Sequence, residues 1–331
     1  MNDTSQSKSL FETVVTDVDA HAIEAFELLS NETRLAILLA LWEIYDPASD
    51  HNTITFSDLA TRINYDSPGN LNYHLEKLVG LYVRKTENGY HITEAGNKVI
   101  RAIRAGAITQ TVSFGPFEID DFCPYCNGTV EVSYSDTHIM ARCTECIGTF
   151  IEGDQPAREP RLNNSRGVIT RQEFPPAGVH NRSPEAAIQA HLNRTGYLGF
   201  AMLAGTCPEC AGKTRISTTL CTDHEMTSQG CESCGRAYRS WTGMMCQHCK
   251  FAIGAPSHWL LIRHPTIGAF LKDHGIDVTP GFSMELWSAL DQADMQINSA
   301  DPVKLGINYK LNGDKLSAMV KEDMTVISVG E

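Results

Sequence analysis

The residues best suited to chemistry in this sequence are its cysteines. All eleven lie beyond residue 122, and ten of them form five Cys-x2-Cys pairs: Cys123/Cys126, Cys143/Cys146, Cys207/Cys210, Cys231/Cys234 and Cys246/Cys249. The eleventh, Cys221, precedes His224 at the same spacing in the run CTDH. These ligands divide into three tetrahedral sets, the geometry that structural zinc prefers, so up to three structural Zn2+ ions are expected. A catalytic zinc keeps an open position and usually takes His and carboxylate ligands. These sets are instead saturated with cysteine. The sequence carries no Gly-rich phosphate loop and no serine nucleophile elbow, and it is not expected to be an enzyme.

How the ligands are shared depends on the elements between them. Thr129–Val132 and His138–Arg142 alternate like strands around a turn at Ser135-Asp136-Thr137, so Cys123/Cys126 and Cys143/Cys146 are expected at one end of a ribbon-like hairpin. The first pair, CPYC, also matches a glutaredoxin-type redox site. That chemistry needs the motif at the start of a helix, to lower the thiol pKa; here Asn127-Gly128 and a strand follow, which favours zinc. Among the last eight ligands, Thr214–Leu220 and Arg236–Thr242 are β-prone without internal turn residues. A straight strand of about nine residues spans about 30 Å, too far for the pairs at its two ends to share one ion. The turn falls instead around Thr227-Ser228-Gln229-Gly230. From this an interleaved sharing is expected: Cys207, Cys210, Cys231 and Cys234 on one ion, and Cys221, His224, Cys246 and Cys249 on the other. A bulged strand folding back would give the sequential alternative, Cys207/Cys210 with Cys221/His224.

The cysteine-free N-terminal third is punctuated by helix signals. Asn31 can cap a helix with Leu35, Leu38, Leu39 and Trp42 on one face. Thr53-Ile54-Thr55 is a short β-prone patch, and Thr55 with Asp58 resembles a capping box for a helix burying Leu59, Ala60 and Ile63. Ser67 as N-cap and Pro68 at the first helical position open a helix that buries Leu71, Leu75 and Leu78 and stops at Gly80. Leu81–Lys85 and Tyr90–Ile92 read as a hairpin around Glu87-Asn88-Gly89. Thr93 then caps a helix with Val99, Ile100 and Ile103 inward. In the Ser67–Val79 helix His74 sits at the rim of the core, while Gly69, Asn70, Asn72, Tyr73, Glu76 and Lys77 point outward.

Composition sets the frame. At 331 residues with 42% hydrophobic residues, the chain can bury a core in two or three domains. No stretch approaches the roughly 18 apolar residues of a membrane span, and the polar start MNDTSQSKSLFETV lacks a secretory signal. A cytoplasmic address is expected, where cysteines bind metal rather than pair as disulfides. The net charge of −13 is unhelpful for nucleic-acid binding, and residues 1–110 hold nine Lys and Arg against fifteen Asp and Glu. Within residues 84–104, however, Arg84, Lys85, Lys98, Arg101 and Arg104 face only Glu87 and Glu94.

The runs FELLSNETRLAILLAL and FSDLATRINYDSPGNLNYHLEKLVGLYVRKTENGYHITEAG resemble ArsR-type winged helix-turn-helix regulators of the kind found in salt-loving archaea, over about the first 110 residues. The resemblance implies a DNA-binding fold in which the Ser67–Val79 helix enters the major groove. Asn70, Asn72 and Tyr73 are then expected on base edges, since Asn pairs bidentately with adenine, and Ser67, Lys77, Arg84 and Lys85 on the phosphate backbone. It also implies a homodimer through the first and last helices of that domain, with Phe11, Val14, Val15, Ile103 and Ile108 as apolar candidates. An acidic surface suits a high-salt cytoplasm. Some relatives sense metal through cysteines in the helix before recognition; FSDLATRI has none, so that sensing is not expected here. FPPAGV and LIRHPTIGAFLKDHGID resemble the C-terminal region of the same regulators.

The fold class expected is multidomain α+β: a winged helix-turn-helix at 14–110, a zinc ribbon at 117–150, a loop and helix linker at 151–205, a two-zinc ribbon-like domain at 206–262, and a C-terminal helix with antiparallel strands at 263–331. Within the linker, residues 151–172 read as a loop, and Ser183-Pro184 opens a helix whose glycine-interrupted end is left open. The last part carries a helix from Pro265 to near Gly275, then strands Val303–Leu311, Lys315–Val320 and Thr325–Val329. The function expected is a sequence-specific DNA-binding transcription regulator with structural zinc. The alternative is a general transcription factor or RNA polymerase-binding adaptor, which also combines a winged helix with a zinc ribbon.

Overall fold

The computed structural model describes residues 20–49, 52–65, 67–106, 112–149, 167–227, 230–234, 236–278 and 282–330. The chain is mixed α/β, its sheets are antiparallel, and it divides into two units, Met1–Thr109 and Gln110–Glu331. Among the described residues no helix is long and apolar enough to cross a membrane. Phe11, Val14, Val15 and Ile108 lie outside the described residues, as does most of the 151–172 segment.

In the first unit, helices α1 (Ala20–Leu29), α2 (Glu32–Glu43), α3 (Phe56–Arg62) and α4 (Pro68–Leu78) precede the hairpin β1 (Val83–Thr86) and β2 (Gly89–Ile92), and α5 (Glu94–Ala105) closes the unit. Side-chain caps start three of these helices: Asn31 accepts from Arg34 N–H, Thr55 from Asp58 N–H and Thr93 from Gly96 N–H, each satisfying an otherwise orphaned donor. Helix α2 is the hub, packing on α1, α3, α4, α5 and β2. It therefore buries Ile37, Leu38, Ala40 and Leu41, while Leu35, Leu39 and Trp42 are half-buried, so the expected one-sided stripe is displaced. The Thr53–Thr55 patch contributes one bridge, Ile54 to Tyr90, whose backbones exchange hydrogen bonds of 3.0 and 2.9 Å. Thr86 pairs with Gly89, so the hairpin turn is Glu87-Asn88 and Gly89 is its first returning residue. Gly89 has φ +133°, and a Cβ there would sit 2.2 Å from the Ile54 carbonyl oxygen, so only glycine fits the close approach.

In the second unit, β3 (Phe114–Phe122), β4 (Thr129–Ser135), β5 (His138–Cys143) and β6 (Val168–Glu173) form one sheet in sequence order. The β4–β5 turn uses Asp136 and Thr137, both at positive φ, as tight hairpins require. A second sheet orders β11 (Ala252–Pro256), β10 (Ser240–Cys246) and β7 (Thr214–Leu220); β8 (Met226–Thr227) and β9 (Gly230–Cys231) pair beyond it. Helix α6 (Pro184–Leu203) contacts strands of both sheets and runs unbroken through its glycines, buried through Ala187, Ile188, Leu192 and Met202. Helices α7 (Pro265–Asp273) and α8 (Met284–Asp291) lead to a third sheet, β12 (Asp294–Ala300), β13 (Val303–Leu311), β14 (Asp314–Lys321) and β15 (Val326–Gly330). One contiguous core runs from Ile119 to Met324. The third sheet is tied to the second by the Thr218 hydroxyl donating to the Glu322 carbonyl at 2.6 Å, and by Tyr309 Oη donating to the His258 carbonyl at 2.6 Å.

Three features depart from the sequence expectation. The end of the supposed loop 151–172 is strand β6, which completes the first sheet. The strand expected at Arg236–Thr242 begins at Ser240 and continues to Cys246. Helix α8 and strands β3, β8, β9, β11 and β12 have no counterpart in the expectation.

Candidate functional site

The twelve cysteine and histidine ligands assemble into three clusters, in each of which four ligand atoms lie within 4.8 Å of one another. Cys123 and Cys126 precede β4, and the end of β5 brings back Cys143 and Cys146. The Cys123–Cys146 and Cys126–Cys143 sulfurs are 3.6 Å apart. In the second cluster Cys207–Cys249 and Cys210–Cys246 are 3.6 and 3.5 Å apart. The third joins Cys221–Cys231 at 3.9 Å and His224 Nδ1–Cys234 at 3.4 Å. Four ligands at about 2.3 Å from one ion stand about 3.8 Å from each other, whereas a disulfide holds its sulfurs near 2.05 Å. The spacing is that of thiolates around a metal, and the donor sets are compatible with structural zinc.

This arrangement overturns the interleaved sharing, and the sequential alternative with it. Thr214–Leu220 is one continuous strand, as its lack of turn residues implies, and the chain reverses beyond it where Thr227 pairs with Gly230. The strands return antiparallel, however, with Thr214 opposite Cys246 and Leu220 opposite Ser240. The start of one strand therefore meets the end of the other. Cys207/Cys210 faces Cys246/Cys249 at one end of the hairpin, and Cys221/His224 faces Cys231/Cys234 at the other.

The backbone at these pairs is built to hold charged sulfur. Asn127, Ala211 and Lys250, each following the second cysteine of its pair, take φ of 58°, 58° and 64°. In the same three pairs the first cysteine's N–H donates to the carbonyl five residues on, Cys123 to Gly128, Cys207 to Gly212 and Cys246 to Phe251. N–H groups of these turns point at sulfur, Gly128 to Cys126 at 3.4 Å and His248 to Cys246 at 3.3 Å, and the Cys143/Cys146 pair has its own, Glu145 to Cys143 at 3.3 Å and Gly148 to Cys146 at 3.4 Å. Such donors favour the thiolate. The N–H of Cys249 is the chief cause that lowers Cys246 to about 6. At Cys231 burial pushes the thiol up, but the N–H groups of Cys234 and Ser233 help bring it down to about 7. His224 is held below its ordinary value by burial and by Arg239, which keeps its imidazole neutral and able to ligate. Beside the second cluster, a Cβ on Gly212 would stand 3.1 and 3.2 Å from the Cys210 and Cys246 sulfurs. That glycine keeps room for the sulfurs, and the sequence reading did not single it out. The CPYC pair leads into a turn and β4 rather than a helix, and burial pushes the Cys123 thiol up, the reverse of what a redox nucleophile needs.

In the first unit, Leu71, Leu75 and Leu78 of α4 are wholly buried, and Ser67, Asn70, Asn72, Tyr73, Glu76 and Lys77 are exposed. Ser67 occupies the N-cap position but makes no side-chain capping bond, contrary to its expected role. Asn70 Nδ2 donates to Tyr65 Oη at 2.8 Å, a partner not expected from the chain alone. Tyr73 is 56% exposed, with the Lys77 ammonium 5.7 Å from its ring centre. On β1, Arg84 and Lys85 are exposed, and Lys85 pairs with Glu76 of α4 at 2.9 Å, which joins the hairpin to the helix. His74 is half-buried with a buried, unpartnered Nδ1.

The site thus defines a mixed α/β protein whose second unit carries three cysteine-rich clusters compatible with structural zinc. Residues 120–326 match the model of a domain of unknown function, DUF7351, and residues 22–103 match that of a second, DUF7347. The first match covers more than half of the chain, which belongs to the DUF7351 family. No curated protein and no solved structure matches the chain.

Proposed function

We propose that the chain is a sequence-specific DNA-binding transcription regulator. In this reading the first unit is a winged helix-turn-helix, and the second is a ribbon-like body held by three structural zinc ions. The observation that carries it is the exposed face of α4. A helix whose three leucines are wholly buried presents Asn70, Asn72, Tyr73 and Lys77 to solvent, beside a hairpin bearing Arg84 and Lys85. A helix of this kind fits the major groove with its N-terminal residues on base edges. Asn72 and Tyr73 read bases; Asn70 does so while held by Tyr65. Ser67, Lys77, Arg84 and Lys85 contact phosphate, and the Lys85–Glu76 pair aims the hairpin cation. Bound zinc supplies folding free energy and no chemistry in the reading. The thiolates of the second unit hold it, and backbone N–H groups offset their charge.

A homodimer places two such helices in successive major grooves. Helix α1 supports it, with Ile23 48% and Phe26 74% exposed, neither of them singled out by the sequence; Ile103, of the apolar candidates the one among the described residues, is half-buried against the unit's own core. Mapping the full chain on its own genome and then measuring gel shifts on an occupied site tests the reading. Tyr73→Ala or Asn72→Ala is expected to weaken the specific site by about 1–3 kcal/mol and leave scrambled DNA unaffected. Arg84→Ala should weaken both alike and flatten the salt dependence. Occupancy that follows every promoter without a discrete sequence would instead indicate a general factor or polymerase adaptor.

A further inference from the structure

The second unit contains a cavity of about 110 Å³ between α6, β6, β10, β11 and α8, away from the metal ligands. Protein interiors hold few voids larger than a water molecule, so a void of this size calls for an explanation. Three of the chain's four tryptophans, Trp241, Trp259 and Trp287, line it together with Phe282. Trp259 and Trp287 meet edge to face with ring centres 4.3 Å apart, and Phe282 stands 5.6 Å from Trp259. The opposite wall is polar. Thr195 Oγ1 donates to Gln172 Oε1 at 3.1 Å, and the buried His191 bridges Thr195 and Thr170 at 3.5 Å on each side.

Two details show that the cavity is not a packing remnant. Trp259 is 7% exposed, yet its indole N–H finds no protein acceptor, although a buried indole N–H normally does. Gly199 lies inside a 20-residue helix, where glycine is the weakest ordinary helix former. It is not required there by crowding, because a Cβ would meet nothing nearer than Ile253 Cδ1 at 4.0 Å. Its missing side chain is part of the void. A surface cleft of about 990 Å³ adjoins the cavity, with Gln172, Trp241, Met244, Ile253 and Gly254 lining both.

We propose that this cavity is a binding site for a small neutral aromatic molecule carrying one hydrogen-bonding oxygen, of the phenol class. The ring packs among the indoles and Phe282, and the oxygen accepts from Trp259 Nε1 and meets the Gln172–Thr195 wall. The volume of about 110 Å³ is of the same order as the apolar cavity of about 150 Å³ that binds benzene, so the occupant has no more than one ring. The site requires no DNA contact and stands whether or not the chain is a regulator.

The test is a titration of phenol into the full-length, zinc-loaded protein, followed by tryptophan fluorescence and by calorimetry. Saturable one-to-one binding is expected, together with a rise in Tm with phenol concentration. Gly199→Leu, which grows into the void, abolishes it with circular dichroism and zinc content unchanged. Gly199→Ala keeps the test open should the leucine variant misfold, and weakens binding measurably. Trp259→Phe weakens phenol about 5-fold, the scale of one hydrogen bond, and leaves benzene binding unchanged. Absence of saturable binding to the wild type, or binding by the Gly199→Leu and Gly199→Ala proteins equal to that of the wild type, overturns the assignment.

Discussion

The nested sharing of the last eight ligands can be tested by counting ions. From Thr214 to Leu220 there are six residue steps, and at about 3.3 Å each the two ends of the hairpin stand about 20 Å apart. The Cys210 and Cys246 sulfurs are 3.5 Å apart. Each pair at a given end therefore belongs to one ion. Structural zinc in small domains contributes about 10–16 kcal/mol of apparent binding free energy at neutral pH, and this is folding free energy. A chelator can then be chosen that strips a damaged site and leaves an intact one loaded. After dialysis against it, atomic emission should find three zinc ions per wild-type chain and two for Cys246→Ser. The double variant Cys207→Ser/Cys246→Ser should still hold two, because both ligands serve the same ion. Cys221→Ser/Cys246→Ser should hold one. The interleaved scheme reverses the last two outcomes. A Cys207→Ser/Cys246→Ser protein holding one ion refutes the geometric argument.

Three further outcomes are expected. Burial lowers His258 to about 3 and His191 to about 4, so the folded chain binds fewer protons than the unfolded chain below about pH 6.5. Their contribution to stability is present above that pH and is lost as pH falls toward the folded values. Between pH 6.5 and 5, His258→Leu should lose about 2 kcal/mol less than the wild type in urea unfolding at fixed zinc; equal losses would remove the buried-histidine explanation. Gly89→Ala, which sets a Cβ against the Ile54 carbonyl at a positive φ, should destabilise the first unit by about 2 kcal/mol or more. Unchanged thermal unfolding of that unit would show that the approach relaxes. Phe26→Glu should convert a dimer to a monomer by light scattering at micromolar concentration in high salt, and a wild type that is already monomeric counts against the interface.

What the sequence discloses here is chiefly local. Caps at Asn31, Thr55, Thr93 and Ser183 are legible because one side-chain oxygen answers a backbone N–H two or three residues on. The α4 face is legible because Leu71, Leu75 and Leu78 keep helical spacing against a single core. Helix α2 misleads because its buried face, Ile37, Leu38, Ala40 and Leu41, is set by the several elements packed on it and is rotated from the face that the leucine spacing marks. Strands β3 and β12 are edges of their sheets. Strand β3 buries only Ile119 and lacks the alternation that marks a strand packed on a core; β12 does alternate, with Met295 and Ile297 on its inner side, but buries none of its residues fully.

Ligand identity and ligand sharing separate along the same line. Cys-x2-Cys is a property of four consecutive residues, so all twelve donors could be named from the chain alone. Which pairs meet is a property of strand direction, and the antiparallel return decides it. That same direction has a mechanical consequence for the second unit. Strand β10 runs from just beyond one cluster into the other, ending at Cys246, and it carries Trp241 and Met244 into the cavity wall. With a four-ligand cluster at each end of the β7–β10 pair, the wall is fixed at both ends while its middle faces the void. A binding site needs its lining on elements that cannot drift. Zinc at both clusters would give that rigidity to a strand whose central residues are free of ligand duty, so a zinc-loaded chain stripped of either ion is expected to lose the proposed phenol binding as well as stability.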